Sequence, residues 1–271
     1  MNPEQSVVVV GAGLMGTGIA HAFAATGHTV TLVDTQAQAL ALARLHSAGG
    51  LDAAPAHAGL VIETATEKID IKQAIVREAE SRFGDDTVIA TNTSALSITE
   101  IASVAKIPGR VIGMHFFNPV HKMKLVEIVR GLETRSETVD KARRWSSAIG
   151  KTSIEVNEAP GFTTSRISAL LGNEAMYMLA EGVASAEDID TSLRMAFNHP
   201  MGPLELGDLT GWDTRLSVLQ YLHQTLGEKF RPCPLIIKLV KSGRHGRKTG
   251  RGIYEYDDKG QRIPGSGVKP W

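Results

Sequence analysis

A chain of 271 residues with 42% hydrophobic content can bury one large core or two modest ones. Its 29 Lys and Arg balance its 29 Asp and Glu, which argues against nucleic acid or any other polyanion as the main partner. A single cysteine, Cys233, excludes an internal disulfide and a cysteine-built metal site. With no targeting signal in Met1 to Gln5 and no apolar run long enough to span a bilayer, a cytoplasmic enzyme without a membrane partner is expected.

Ser6-Val7-Val8-Val9-Val10 is a β-branched run of the kind found in a strand buried on both faces of a parallel sheet. Gly11-Ala12-Gly13-Leu14-Met15-Gly16 follows at once, and Met15, Ile19, Ala22 and Phe23 then recur at helical spacing until Gly27. Thr29 to Val33 makes a second strand that ends at Asp34, 18 residues after Gly16. Such a glycine turn is weak evidence alone. Between a buried strand and an amphipathic helix, with an acid at the next strand's tip, it points to a dinucleotide site. The turn from Gly11 through Gly13, Leu14 and Met15 to Gly16 lets backbone approach a pyrophosphate at the helix N-terminus, and Asp34 can accept hydrogen bonds from the adenosine ribose. Thr35 and Gln36 follow with no arginine nearby, so NAD is favoured over NADP.

Ala37 to His46 reads as a helix and Ser47-Ala48-Gly49-Gly50 breaks it. Leu51 to Gly59 is an alanine-rich connection with room for no more than a vestigial strand before Leu60-Val61-Ile62-Glu63-Thr64. Glu67 to Phe83 reads as a helix, with Ile69, Ala74, Ile75 and Ala79 among its apolar positions. Thr87 to Thr91 is the next strand and opens into Asn92-Thr93-Ser94, at the strand end where ligands of parallel sheets collect. Ser97-Ile98-Thr99-Glu100 has the form of a capping box that starts a short helix. Ser94 could serve that helix as a cap, although Ser97 is better placed.

The chemistry is sought between Val111 and Ile128. An apolar strand ends at His115, Asn118-Pro119 turns the chain, and a second apolar run carries one carboxylate, Glu127. Folding the two runs back on each other brings Glu127 against His115. A carboxylate on one imidazole nitrogen fixes the tautomer and leaves the other nitrogen free to move a proton, as a general acid/base requires. A lone histidine is more often a packed residue with satisfied nitrogens, so context has to decide. His121 is a rival base by proximity only and is expected at an exposed turn.

Thr152 to Val156 is the last strand, and at Asn157-Glu158-Ala159-Pro160-Gly161 the strand–helix alternation stops. From Thr163 the pattern is helical, with Ile167, Leu170, Leu171, Met178 and Leu179 as one stripe. Asn173 and Glu174 interrupt it and either face a cleft or cap a neighbour. Helical segments with breaks such as His199-Pro200-Met201-Gly202-Pro203 continue to Lys241. Gly246 to Gly250 leads to the short Ile253-Tyr254-Glu255-Tyr256, and the polar tail at 257–271 is expected to be flexible.

Together these segments resemble the L-3-hydroxyacyl-CoA dehydrogenase family, of the stand-alone 3-hydroxybutyryl-CoA dehydrogenase type. The resemblance is carried by VVVVGAGLMGTGIA with Asp34, LVIETATEKIDIK, ATNTSALSIT, GMHFFNPVHKMKLVEIV, APGF with Arg166, HPMGPLELGDLTGWDT and GRKTGRGIYEY. It implies an α/β fold, with a Rossmann-type mostly parallel sheet over residues 1–158. An all-α domain over 159–256 would shape the substrate site and form a homodimer. It implies NAD as cofactor, contacted by Asp34, Glu67, Lys72, Asn118 and Lys248. The implied reaction interconverts a short-chain (S)-3-hydroxyacyl-CoA and its 3-oxo form, as in β-oxidation. His115 would be the acid/base, Glu127 would orient and charge it, and Ser94 would hydrogen-bond the reacting oxygen.

Two positions depart from the family pattern. Ser165 stands where the family commonly has Asn, and it is expected to help hold the substrate carbonyl, with Asn173 as a second contributor. The family's helical hairpin that clasps coenzyme A has no counterpart between Asp34 and Leu60, which should raise KM, lower kcat, or both. Two other readings stay open. One is a dehydrogenase of a free hydroxy acid or sugar acid, with Arg166 facing the carboxylate. The other is a nucleotide-binding protein with little turnover.

Overall fold

The valine run forms β1 (Ser6–Val10), buried along its whole length. Successive residues face opposite sides, so Val7 and Val9 enter one core layer while Val8 and Val10 enter another. The structure is a computed structural model that describes residues 5–43 and 45–269, and it divides into two units, Met1–Phe162 and Thr163–Trp271. The division falls a few residues beyond the expected boundary at 158, because the Pro160–Phe162 turn belongs to the first unit.

In that unit β1 is followed by α1 (Leu14–Ala24), β2 (Thr29–Val33), α2 (Ala37–Ala43), β3 (Ser47–Ala48), β4 (Leu60–Glu63), α3 (Ile69–Arg82) and β5 (Val88–Thr91). Then come α4 (Ile98–Ala102), β6 (Val111–Phe116), β7 (Leu125–Arg130), α5 (Ser136–Ala148) and β8 (Thr152–Asn157). The strands form one eight-stranded sheet in the order β3-β2-β1-β4-β5-β6-β7-β8. Every pairing is parallel except β6 with β7. Helices α1 and α5 cover one face through Ile19, Phe23, Val139, Ala142 and Trp145. Helices α3 and α4 cover the other through Val76, Ala79, Phe83 and Ile101. This is the mostly parallel sheet that the strand–helix alternation implied.

The stretch before β4 is as short as expected, and three other local features differ from expectation. Between Asp34 and Leu60 the described residues hold only α2, β3 and a 3-10 turn at Leu51–Ala53, with no helical hairpin. The vestigial strand is Ser47–Ala48, inside the segment read as a break, where it extends the sheet beside β2. Helix α2 stops at Ala43, not His46, and Arg44 lies outside the described residues, as do residues 1–4 of the expected leader-free start. Helix α5 was not anticipated at all.

The second unit contains α6 (Thr164–Ala180), α7 (Ala186–Ala196), α8 (Pro203–Thr210), α9 (Trp212–Leu226) and α10 (Pro234–Lys241) around a core that includes Met176, Leu179, Leu204, Trp212 and Phe230. The buried face of α6 is Ala169, Gly172, Asn173, Ala175, Met176 and Leu179, whereas Ile167 and Leu171 of the expected stripe are 61% and 40% exposed. Asn173 caps a neighbour: Nδ2 donates to the Arg231 carbonyl and Oδ1 accepts the Cys233 amide, both at 2.9 Å, which fixes the entry to α10. Its amide is therefore committed to the fold, and the contribution to substrate binding expected of it is withdrawn.

Buried Asp208 accepts the Trp212 indole N–H at 2.6 Å and the Ile253 and Tyr254 amides at 2.8 Å, fastening the Ile253–Tyr256 segment to α8. The tail expected to be flexible pairs its backbone with that segment. The Ile263 amide donates to the Glu255 carbonyl at 2.8 Å and the Val268 amide to the Ile253 carbonyl at 2.9 Å. Residues 270–271 lie outside the described residues.

Candidate active site

The glycine turn is built by close packing. A Cβ on Gly16 would lie 1.8 Å from the Gly11 carbonyl oxygen, so only glycine lets α1 start this near β1. Gly13 has a different reason: nothing lies within 4 Å of its Cβ position, and the neighbouring Leu14 is 73% exposed. Asp34 Oδ2 accepts the Ala12 amide at 2.7 Å and Oδ1 the Gln36 amide at 2.8 Å, which orients the carboxylate at the tip of β2. Open space over Gly13 at a helix N-terminus, beside an oriented acid, fits the pyrophosphate and ribose of a dinucleotide.

A second cluster lies at the ends of β4 and β5. Glu63 is fully buried and accepts hydrogen bonds from the Thr91 hydroxyl and, at 2.7 Å, from Lys72 Nζ. Lys72 was expected to touch the cofactor, but it is 1% exposed between Glu63 and Glu67, the latter at 3.3 Å. The buried carboxylate needs a counter-charge, and Lys72 supplies it. Glu67 is exposed at the rim, and its Oε1 accepts the Thr93 hydroxyl at 2.5 Å, the Ser94 amide at 2.8 Å and the Ser94 hydroxyl at 3.2 Å. Ser94 is thus held by Glu67, while Ser97 caps α4 through the Glu100 amide as expected. Glu63 was missed in the sequence, although an acid at the end of a buried strand with a lysine nine residues later was there to be noticed.

His115 and Glu127 are direct partners in the antiparallel β6–β7 register. Imidazole Nδ1 lies 2.7 Å from Glu127 Oε2, with Glu127 fully buried and the His115 side chain 10% exposed. Phe117 and Phe162 flank the imidazole, with ring centroids 4.6 and 5.9 Å away. Phe162, in the APGF turn, was assigned no part in the sequence. Asn92 Oδ1 accepts the Phe116 amide at 2.9 Å and ties the end of β6 to the segment leading to Ser94. Asn118 is exposed in the turn, and its peptide bond to Pro119 is cis. Lys151 Nζ donates to the carbonyls of Val120 and, at 2.6 Å, Met123, which holds this turn down. Burial lowers the Lys151 pKa below the usual lysine value. His121 is exposed, as expected.

In the helical unit, Ser165 is half-buried in the first turn of α6, with Arg166 beside it. Lys248 Nζ lies 2.7 Å from Asp213 Oδ2, so its ammonium is paired within its own unit. Burial pushes the Asp213 carboxyl up, but the hydrogen bond and charge of Lys248 outweigh it and hold the group below the ordinary aspartate range. Among the described residues no group of His, Cys, Asp and Glu is placed to hold a metal ion, and no helix is long and apolar enough to cross a membrane.

Two family descriptions match this chain. The 3-hydroxyacyl-CoA dehydrogenase NAD binding domain matches residues 6–54 and 41–159, and the 3-hydroxyacyl-CoA dehydrogenase C-terminal domain matches 161–256. The chain is 42% identical to a probable 3-hydroxybutyryl-CoA dehydrogenase of Bacillus subtilis, over 94% of this chain and 98% of that protein. It is 40% identical to a 3-hydroxybutyryl-CoA dehydrogenase of Bradyrhizobium diazoefficiens, over 93% and 95%. Among solved structures, the (S)-3-hydroxybutyryl-CoA dehydrogenase PaaH1 of Ralstonia eutropha is similar with a TM-score of 0.87 and 39% identity, over 94% of this chain and 99% of that one. FadB2 of M. tuberculosis is similar with a TM-score of 0.90 and 31% identity, over 93% and 99%.

Proposed function

The chain belongs to the 3-hydroxyacyl-CoA dehydrogenase family, and from that premise we propose that it interconverts a short-chain (S)-3-hydroxyacyl-CoA and its 3-oxo form with NAD. The observation that carries this reading is the buried His115–Glu127 pair at 2.7 Å. NAD, when bound, takes up or delivers the hydride. In oxidation His115 Nε2 accepts the proton of the substrate hydroxyl; in reduction it returns that proton to the oxygen. Glu127 on Nδ1 fixes the tautomer that leaves Nε2 available and offsets the positive charge that the ring acquires. Phe117 and Phe162 limit water around the ring, which strengthens that electrostatic pairing.

In this reading Ser94 donates a hydrogen bond to the reacting oxygen, and Ser165 holds the thioester carbonyl. The turn from Gly11 to Gly16, with Asp34, Glu67, Asn118 and Lys248, contacts the cofactor. Lys72 acts behind Glu67 as its buried support. The protein works in the cytoplasm, in fatty acid metabolism, as a homodimer through its helical unit. Exposed Met195 and Phe197, at 78% and 70%, supply apolar surface for that contact.

The test is the initial rate of NADH oxidation with acetoacetyl-CoA, beside the same acyl group on N-acetylcysteamine. A clear preference for the coenzyme A ester supports the reading and means that surfaces other than a helical hairpin recognise the handle. No oxidation with either thioester, while NADH still binds, overturns it.

A further inference from the structure

Arg215, near the start of α9, is only 8% exposed, yet among the described residues it has no charged partner. Its Nε donates to the Thr210 hydroxyl at 3.0 Å, and none of the ion pairs among the described residues includes it. Burial lowers its pKa to about 10, with no nearby charge offsetting the effect. A buried cation without a counter-charge is strongly disfavoured, and an anion that completes the site relieves it.

Arg215 is one of the residues lining a concave pocket of about 310 Å³ within the helical unit. The other walls are largely apolar, among them Ile167, Leu171, Met201, Pro203 and Leu206, and no carboxylate lines the space. Gly172 on α6 leaves room for the arginine, whose Nη1 lies 3.8 Å from where a Cβ would stand. A largely apolar pocket holding a planar cation matches an aliphatic chain with a carboxylate at its end, which guanidinium can grip with two parallel hydrogen bonds.

We propose that Arg215 binds the terminal carboxylate of a dicarboxylic acyl chain, making this pocket a specificity site for ω-carboxylated 3-hydroxyacyl thioesters. The inference rests on the thioester reading above. Ser165, the residue assigned to the thioester carbonyl, lies one helical turn before Ser168, which lines the pocket. From Ser165 to Gly172 the helix advances roughly 10 Å, the reach of a short dicarboxylic acyl chain. Carbonyl and carboxylate of one substrate are then read along a single helix, with Arg215 at the far end.

The test compares adipoyl-CoA with hexanoyl-CoA, equal in length and lacking the 3-oxo group, by titration calorimetry on the wild-type chain, Arg215→Met and Arg215→Lys. Adipoyl-CoA is expected to bind tighter to wild type by on the order of 10- to 100-fold. The preference should vanish in Arg215→Met and return in part in Arg215→Lys. Equal binding by wild type, or a preference that survives Arg215→Met, overturns the proposal. If Arg215 instead meets a carboxylate of a second copy of the chain, Arg215→Met changes the oligomeric state and leaves the preference as it was, which also overturns it. Failure of the thioester reading shows separately, as no NADH oxidation with acetoacetyl-CoA. Adipate and hexanoate then replace the thioesters, with the same preference expected and its absence again decisive.

Discussion

Glu127 stands directly opposite His115 in the antiparallel β6–β7 ladder, and its carboxylate reaches imidazole Nδ1 at 2.7 Å. The pairing is a property of register. Because side chains alternate along a strand, a slip of one residue would turn Glu127 to the other face of the sheet and leave His115 without its partner. Lys151 holds the intervening turn through the carbonyls of Val120 and Met123, so the strand connection that sets this register is itself pinned.

The two glycines of the first turn should separate folding from cofactor binding. Gly16→Ala places a methyl 1.8 Å from the Gly11 carbonyl oxygen and should destabilise the fold, by about 1–3 kcal/mol as an overpacked site. Gly13→Ala meets nothing within 4 Å, so its melting temperature should match that of wild type while NADH affinity falls. Thermal denaturation paired with fluorescence titration of NADH distinguishes the two.

Lys72→Met should destabilise the first unit more than any surface substitution, because it leaves the fully buried Glu63 carboxylate without its cation. A loss of roughly 3–5 kcal/mol in urea denaturation is expected. The double variant Glu63→Gln, Lys72→Met should recover much of that loss, since no charge is then stranded. A Lys72→Met protein of normal stability with weakened NADH binding would return Lys72 to the cofactor contacts.

Glu80 predicts part of the acid limb of stability. Burial pushes its carboxyl up, but hydrogen bonds from the Lys106 and Ile107 amides, at 2.6 and 2.8 Å, together with the Arg110 charge, outweigh it and hold the pKa below the ordinary 4.5. A depressed folded-state pKa adds stability that is present above the unfolded value and is lost as pH falls through the folded one. Denaturation midpoints should therefore drop below about pH 4.5 in wild type and fall less steeply in Glu80→Gln, which should also cost on the order of 1–3 kcal/mol at neutral pH.

The sequence shows some of these features plainly and hides others for physical reasons. The β1–α1–β2 unit and the His115–Glu127 pair stand out because buried parallel strands, a glycine turn and an Asn-Pro reversal each leave a local pattern. Helix α5 hides because its buried apolar residues Val139, Ala142 and Trp145 form a narrow stripe in an otherwise polar segment. On α6 the expected stripe holds only in part: Leu179 is buried and Leu170 and Met178 pack against the core, but Ile167 and Leu171 do not. Packing against α8 and α9 buries the small ones, Ala169, Gly172 and Ala175, and leaves Ile167 and Leu171 outward. The role of Lys72 was hidden for a related reason: only the folded sheet shows that Glu63 is buried and needs it.

The direct test of His115 as the group that moves the proton is turnover of acetoacetyl-CoA by His115→Ala and Glu127→Gln, with NADH binding followed in the same preparations. The arrangement predicts that turnover falls by roughly 10²- to 10⁴-fold in His115→Ala and substantially in Glu127→Gln. NADH affinity should stay within about twofold of wild type in both. Full turnover in the two variants, with NADH bound normally, would contradict the account and place the acid/base elsewhere.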